Sequence, residues 1–471
     1  MSGKPLESLT RREIETLGRR KRPADKPPVE LTIESMDDQG RGVARLDGKV
    51  VFVANALPGE RVVARYTRLR GRYDEAMAEQ YLERSPHRVE PRCTHANICG
   101  GCVLQHVSRD EQLRIKQARL ADNLERLGSA RPERWVEPVA EAPWGYRSRA
   151  RLGVKHVPKK GGVLVGFRER AGHRLADLNA CEVLHPRVGQ QISNMKSQLT
   201  ELEARARLPQ IELSMSGWRE DTAAPDDRSG ALVFRHLDDL SGADEDRLIG
   251  LVDSLELAAY GQAGGPDTVA PLRASHAVTM GYDLPDFGLR LQFGANDFTQ
   301  VNMAVNRRMV AQALAWLRPE EFDRVLDLFC GIGNFTLPIA RTAGQVFGVE
   351  GAAGAVARAR DNAKLNAIDN CAFEVADLSD ASTCKALFDG RPQALLLDPP
   401  RSGAAAVVEA MRHLPKTSLP TRIVYVSCSP ASLARDVQGL TQALGYTLRQ
   451  AGIVDMFPHT NHVESMALLE R

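Results

Sequence analysis

A chain of 471 residues, 43% apolar and 26% charged, is long enough for two to four ordinary globular domains. It contains no apolar run near the eighteen residues of a membrane span and no apolar stretch behind its basic N-terminus, so a cytoplasmic, non-membrane protein is expected. The net charge of +2 hides an uneven distribution: residues 144–174 carry nine Lys/Arg against Glu169 alone, a segment of +8 against −6 for the other 440 residues. In chain order, residues 1–28 are polar, with Arg19-Arg-Lys-Arg22 followed by Pro23, Pro27 and Pro28, and read as a disordered basic arm. Residues 29–88 alternate apolar and polar positions between Gly-containing turns, which predicts a small OB-like β-barrel. Its Arg61, Arg65, Arg68, Arg70 and Arg72 suit RNA or a solvated barrel face. Residues 89–104 hold three cysteines, and residues 105–127 have helical periodicity through Leu113, Leu120 and Leu124. Residues 89–293 are expected to form a central α+β domain, with loops at 217–230 and 261–271. In that domain Arg147, Arg149 and Arg151 alternate, placing three cations on one face of a strand and pointing to a polyanion such as RNA.

From residue 294 to the end, strand and helix signals alternate, which predicts a Rossmann-like α/β domain with a parallel sheet covered on both faces. Candidate strands lie at 324–329, 346–350, 372–375, 394–397, 422–427 and 465–469. The first runs into Asp327-Leu-Phe-Cys-Gly-Ile-Gly-Asn-Phe335, where Gly331 and Gly333 let the backbone approach a ligand at the edge of the sheet. Thr336 stands where a dinucleotide fingerprint would have its third glycine. Glu350 and Asp377 follow the next two strands, where carboxylates meet the ribose and base of a nucleoside. Cys428 ends a later strand and stands at the start of a helix, where the N-terminal field favours a thiolate; Ser429 can cap that helix and Pro430 fits its first turn. Upstream, Cys93-x5-Cys99-x2-Cys102 has metal-ligand spacing for zinc or an iron–sulfur cluster, with His95, His106 and Cys181 as candidate fourth ligands.

The motif beginning at Asp327 resembles the first motif of class I S-adenosylmethionine-dependent methyltransferases. Asp398-Pro-Pro-Arg401 after the fourth strand, with Ser427-Cys-Ser-Pro430 one strand later, is similar to the RNA uracil-C5 methyltransferases. Methyltransferases acting on exocyclic amines usually have an aromatic residue where Arg401 stands. The resemblance implies Cys428 as the nucleophile that adds to C6 of uracil and Glu464 as the base that removes the C5 proton. It implies Gln300, Phe329, Gly331, Gly333, Asn334, Glu350, Asp377 and Asp398 as the S-adenosylmethionine site. It also implies Cys93, Cys99, Cys102 and Cys181 as ligands of a [4Fe–4S] cluster. The barrel resembles a TRAM domain, and barrel plus cluster together resemble the 23S rRNA-directed members of the family, which implies 23S rRNA as the partner, at uridine 1939; separately, the protein is expected to act as a monomer. Cys330, Cys371 and Cys384 are expected to be structural, Phe298 a core aromatic in preference to a contact to RNA or the target base, and His459 and His462 local polar contacts. Three other readings compete: another uridine site in rRNA or tRNA, an exocyclic-amine methyltransferase, and a non-catalytic RNA-binding protein. The helix near 105–130 is expected to pack with the methyltransferase domain.

Overall fold

The computed structural model describes residues 23–170, 172–217 and 230–471. The expected basic arm, up to residue 22, and most of the loop at 217–230 lie outside the described residues. Two compact units emerge. One holds the described residues up to Pro91 together with Val103–Ser108, and the other holds Arg92–Cys102 and Arg109–Arg471. No helix among the described residues is long and apolar enough to cross a membrane.

The first unit is built from β1 (Val29–Thr32), β2 (Ser35–Met36), β3 (Gly42–Leu46), β4 (Lys49–Ala54), β5 (Arg61–Leu69) and β6 (Tyr73–Glu83), in the sheet order β1-β5-β6-β4-β3-β2. Between β1 and β2 the Ile33 N–H donates to Glu60 O at 2.9 Å, and the Glu34 N–H donates to Val43 O at 2.8 Å. The chain therefore bridges both edges of the sheet and closes it into a barrel. Alternate residues fill the interior, among them Leu31, Val51, Val53, Val62 and Ala64. Asp47 and Gly48 both take positive φ, as the two-residue hairpin between β3 and β4 requires. Three of the arginines expected to meet RNA are ion-paired within the barrel: Arg61 with Glu30 and Glu83, Arg65 with Glu79, and Arg68 with Glu75.

The second unit begins with α1 (Arg109–Arg126) and the short β7 (Arg134–Trp135). A mixed sheet follows, made of β8 (Arg149–Val157), β9 (Gly162–Gly166), β10 (Gln210–Met215), β11 (Gly230–Arg235), β12 (Ala258–Gln262) and β13 (Val269–Pro271) in the order β13-β12-β11-β10-β8-β9. Its core also buries Cys99, Cys102 and Cys181. The three alternating arginines are largely engaged inside the protein. Arg147 Nε donates to Arg149 O, Arg149 bonds the carbonyls of Ala295 and Asp297, and Arg151 pairs with Glu212 at 2.9 Å. After the hairpin of β14 (Met280–Leu284) and β15 (Leu289–Phe293) comes an eight-stranded sheet.

That sheet contains β16 (Arg324–Leu328), β17 (Gln345–Glu350), β18 (Cys371–Val375), β19 (Ala394–Leu397), β20 (Arg422–Ser427), β21 (Thr447–Val454) and β22 (Glu464–Glu470), ordered β18-β17-β16-β19-β20-β22-β21-β7. The first five strands are parallel, and β22 runs antiparallel between β20 and β21. The apolar runs are continuous because both faces are buried. Ile423 and Tyr425 enter one core, shared with α1, α7 (Ala405–Arg412) and α8 (Pro430–Gln438), whereas Val424 and Val426 enter the opposite core, shared with α4 (Met303–Leu317) and α6 (Ala353–Leu365). Also present are α2 (Ile192–Thr200) and α3 (Gly242–Ser254) beside the mixed sheet and α5 (Thr336–Ala340) after β16, with short helical turns at Pro186–Gly189 and Ala381–Ala386. The open ends of β16 to β20 lie along one edge, which is where a doubly wound sheet binds its ligand.

Candidate active site

The turn after β16 is set by three residues in left-handed conformations, Phe329 (φ 65°), Gly331 (φ 54°) and Gly333 (φ 91°). Its Phe329 and Cys330 N–H groups both donate to Val349 O, which ties the turn to β17. Glu350, at the end of β17, accepts from the Gly331 N–H at 3.3 Å and the Ala352 N–H at 3.1 Å. Asp377, after β18, accepts from the Ser379 hydroxyl at 2.6 Å and N–H at 2.9 Å, and those bonds hold its carboxyl below the usual range. Asn334 forms a reciprocal amide pair with Asn306, and its Oδ1 also accepts from the Tyr282 hydroxyl at 2.8 Å. Asp327 is fully buried and accepts from Thr336 Oγ1 at 2.5 Å, and burial pushes its pKa up to about 7.

The register of the sheet brings together the reactive end. In the antiparallel pair β20–β22, Ser427 lies opposite Ser465, so the next residues outward, Cys428 and Glu464, face each other across neighbouring strands. Asp398 follows β19, the strand on the other side of β20. Ser429 caps α8, accepting from the Ser432 N–H at 3.4 Å, with Pro430 in the first turn. The loop from Asp398 is clamped to α8: Ser432 Oγ donates to Arg401 O at 2.6 Å, and the Ala404 N–H donates to Asp436 at 2.7 Å. Burial pushes Glu464 up to about 8, and the charge of Asp398 adds to it; Asp398 is itself pushed up to about 7 by burial and by Glu350. The Cys428 thiol is half-buried, and burial, Glu464 and Asp398 raise it, with Arg401 opposing them. The field expected to favour a thiolate is thus outweighed by burial and two acids.

A cavity of about 900 Å³ unites these parts. Its lining includes Gln300, Phe329, Gly331, Asn334, Glu350, Asp377, Asp398, Cys428 and Glu464. Gly333 does not line it and acts on the turn instead, with a Cβ position 3.2 Å from Leu337.

Residues 278–471 match the family described as tRNA (uracil-5-)-methyltransferase, and residues 28–77 match the TRAM domain. The 23S rRNA (uracil(1939)-C(5))-methyltransferase RlmD of Alkalilimnicola ehrlichii is 46% identical over 97% of this chain and 99% of its own. The protein of the same name from Hahella chejuensis is 46% identical over 97% of this chain and 100% of its own. The chain belongs to the RlmD family. The crystal structure of Pyrococcus abyssi tRNA (uracil-54, C5)-methyltransferase in complex with S-adenosyl-L-homocysteine superposes with a TM-score of 0.68 at 24% identity, covering 94% of this chain and all of that one, and shows the same fold.

Two features of this RlmD-family site are not apparent from motifs. Lys116, on α1, is buried; its Nζ donates to Asp455 at 2.6 Å and to Phe457 O at 2.8 Å, and its charge acts on Glu464. Gln112 on the same helix bonds the His459 backbone at 2.9 Å, and the His459 ring stacks on Trp144 with centroids 4.0 Å apart. The segment leading to Glu464 is therefore held by α1. The sequence signal was present: Lys116 falls within the apolar stripe of Leu113, Leu120 and Leu124. Phe298, read as a core aromatic, is 75% exposed on the wall of the cavity, which corrects that expectation. His462 meets Arg401 at 3.3 Å, a local polar contact.

The four upstream cysteines converge on one region. Cys99, Cys102 and Cys181 are buried in one apolar cluster, and Cys99 interacts electrostatically with Cys93 and Cys181. Backbone N–H groups point at the sulfurs, with Gly101 donating to Cys99 Sγ at 3.4 Å and Val183 and Leu184 donating to Cys181. Among the described residues no group of three or more His, Cys, Asp or Glu side chains is arranged to hold a metal ion. His95 Nε2 accepts from the Asn179 N–H at 3.1 Å, and His106 belongs to the other compact unit.

Proposed function

We propose that this chain methylates C5 of a uridine in 23S rRNA, at position 1939, as the names of its RlmD relatives describe. The observation that carries the reading is the pairing of Cys428 with Glu464 across β20 and β22 at the end of the cavity. S-adenosylmethionine, held by Gln300, Phe329, Asn334, Glu350, Asp377 and Asp398 around the Gly331–Gly333 turn, supplies the methyl group. Cys428 Sγ, as thiolate, adds to C6 of the uracil and makes C5 nucleophilic. After methylation the Glu464 carboxylate takes the C5 proton; the C5–H electron pair restores the C5–C6 double bond and expels the sulfur. Arg401 and the backbone N–H of Cys428 favour the thiolate against the raising effect of burial. In this reading the chain acts as a monomer in the cytoplasm.

The test is methylation of a 23S transcript by the purified protein, with mass mapping of the product. 5-Methyluridine at position 1939, lost in Cys428→Ala while S-adenosylhomocysteine binding persists, is the expected result. Modification of an exocyclic amine, or full activity in Cys428→Ala, overturns the mechanism.

We further propose that Cys93, Cys99, Cys102 and Cys181 hold a [4Fe–4S] cluster with a structural role. The support is chemical: four thiols, three of them buried, share one region with N–H donors aimed at sulfur, an environment that suits thiolate ligands. Anaerobic purification should yield a brown protein with iron and labile sulfide, and zinc without iron would refute the assignment.

A further inference from the structure

The barrel arginines and the Arg147–Arg151 strand are mostly paired internally, which leaves open where this protein grips the RNA backbone. A second cavity, of about 930 Å³, lies on the outer part of the β8–β9 hairpin, where six Lys/Arg side chains and a single acid, Glu169, line it. We propose that this groove, through Lys155, Lys159, Lys160, Arg168 and Arg174, binds phosphates of the RNA substrate several nucleotides away from the methylated base. The proposal rests on the RNA-methylating function given above.

Three observations support it. First, the charge is uncompensated: among the described residues Lys155, Lys159, Lys160 and Arg174 make no ion pair, unlike Arg151 at the edge of the groove, which pairs with Glu212. A cluster of like charges raises the local potential, and a polyanion relieves it. Second, the groove is built rather than frayed. Pro158 and Gly161 (φ 83°) fix the turn that presents Lys159 and Lys160. The wall carrying Arg168 is stitched to the cysteine loop, with the Gly100 N–H donating to Arg168 O at 2.8 Å and Arg170 Nη2 donating to Cys102 O at 2.7 Å. A Cβ at Gly100 would fall 2.9 Å from Arg168 O, so this close approach requires glycine. Third, the groove is coupled to the catalytic cavity through one strand. Arg149 on β8 bonds the carbonyl of Asp297, a residue lining the catalytic cavity, and Lys155 lies six residues further along β8, roughly 20 Å away at strand rise. Lysines act as point charges for phosphate, and among the lining residues only Phe167 and His173 carry aromatic rings, so the groove offers little for reading bases.

The experiment compares the full-length protein with a Lys155→Ala/Lys159→Ala/Lys160→Ala variant on a long 23S fragment over a salt series. These side chains are exposed, and S-adenosylhomocysteine affinity serves as the folding control. The expected result is RNA binding weakened about 10- to 100-fold at low salt, with the slope of log K against log salt shallower by about two to three. KM should rise while kcat stays within about twofold, and the corresponding triple Lys→Arg variant should restore the slope. An unchanged affinity, slope and KM would show a solvated face and overturn the proposal. If the wild-type protein makes no 5-methyluridine yet the variant loses RNA affinity, the groove stands and the catalytic assignment falls.

Discussion

Glu464 has to be a carboxylate when the C5 proton leaves, yet burial pushes it up to about 8 and Asp398 adds to the shift. A base poised there is a strong proton acceptor but is only partly ionised near neutrality. The pH profile of kcat/KM should therefore stay depressed below pH 7, rise through the pKa near 8 of Glu464 and go on rising as the burial-raised Cys428 thiol ionises, as a stopped assay with methyl-labelled donor would record. A profile flat from pH 6 to 9 would contradict the assignment. Replacing the base separates the two halves of the reaction: Glu464→Gln should still add Cys428 to C6 and accept the methyl group but fail to eliminate. A protein–RNA adduct resistant to denaturing electrophoresis should then accumulate. The same substitution has a stability signature. A carboxyl raised from 4.5 to about 8 binds its proton more tightly folded than unfolded, so its favourable contribution is present below about pH 4.5 and is lost as pH rises through about 8. Glu464→Gln should accordingly melt at a higher temperature than the wild-type protein at pH 9, with the gap closing toward pH 5.

At the scale of elements, α1 links distant sequence to the catalytic edge. Lys116 and Asp455 form a pair with both side chains almost wholly withdrawn from water, and Arg109 also meets Asp455. Removing the lysine leaves the buried Asp455 with Arg109 as its remaining cation, so Lys116→Met should destabilise the chain by up to about 3–5 kcal/mol in urea unfolding, and the Lys116→Met/Asp455→Asn double variant should recover part of that loss. Without the lysine charge, which lowers Glu464, the acid limb of the rate profile should also move to higher pH in any variant that remains folded. This helix shows what was legible in the sequence and what was not. The glycine turn, the strand ends bearing Glu350, Asp377 and Asp398, and the Cys428 junction are local signals, and the cavity contains them. The strand β21 escaped notice because a bulge between Leu448 and Gln450 breaks its alternation, and β7 is only two residues long. The exposure of Phe298 and the internal pairing of the arginines depend on which acids and carbonyls the fold brings near, which no spacing rule records.

The whole molecule carries separate cores. The barrel interior around Leu31, Val51 and Val62 shares no residue with the cores that flank the eight-stranded sheet, and every residue lining the catalytic cavity belongs to the second unit. Within the barrel one polar knot stands out. Glu60 is fully buried and accepts from Arg88 through both oxygens, at 2.5 and 2.8 Å, and from the Leu57 and Ser85 N–H groups at 2.8 and 3.2 Å. It therefore anchors the entry to β5 and the chain that leaves β6. Glu60→Ala would leave the Arg88 guanidinium, itself largely buried, without its carboxylate, together with two backbone donors. The expected cost is about 3–5 kcal/mol, confined to the barrel. Hydrogen exchange should accelerate across β1 to β6 while protection of β16 to β22 is retained, and S-adenosylhomocysteine affinity by calorimetry should stay within about twofold of the wild-type value. Loss of that affinity along with barrel protection would mean that the two cores unfold as one cooperative unit. Retention of affinity with weakened binding of the 23S fragment would assign the barrel to RNA capture and leave cofactor binding to the second unit alone.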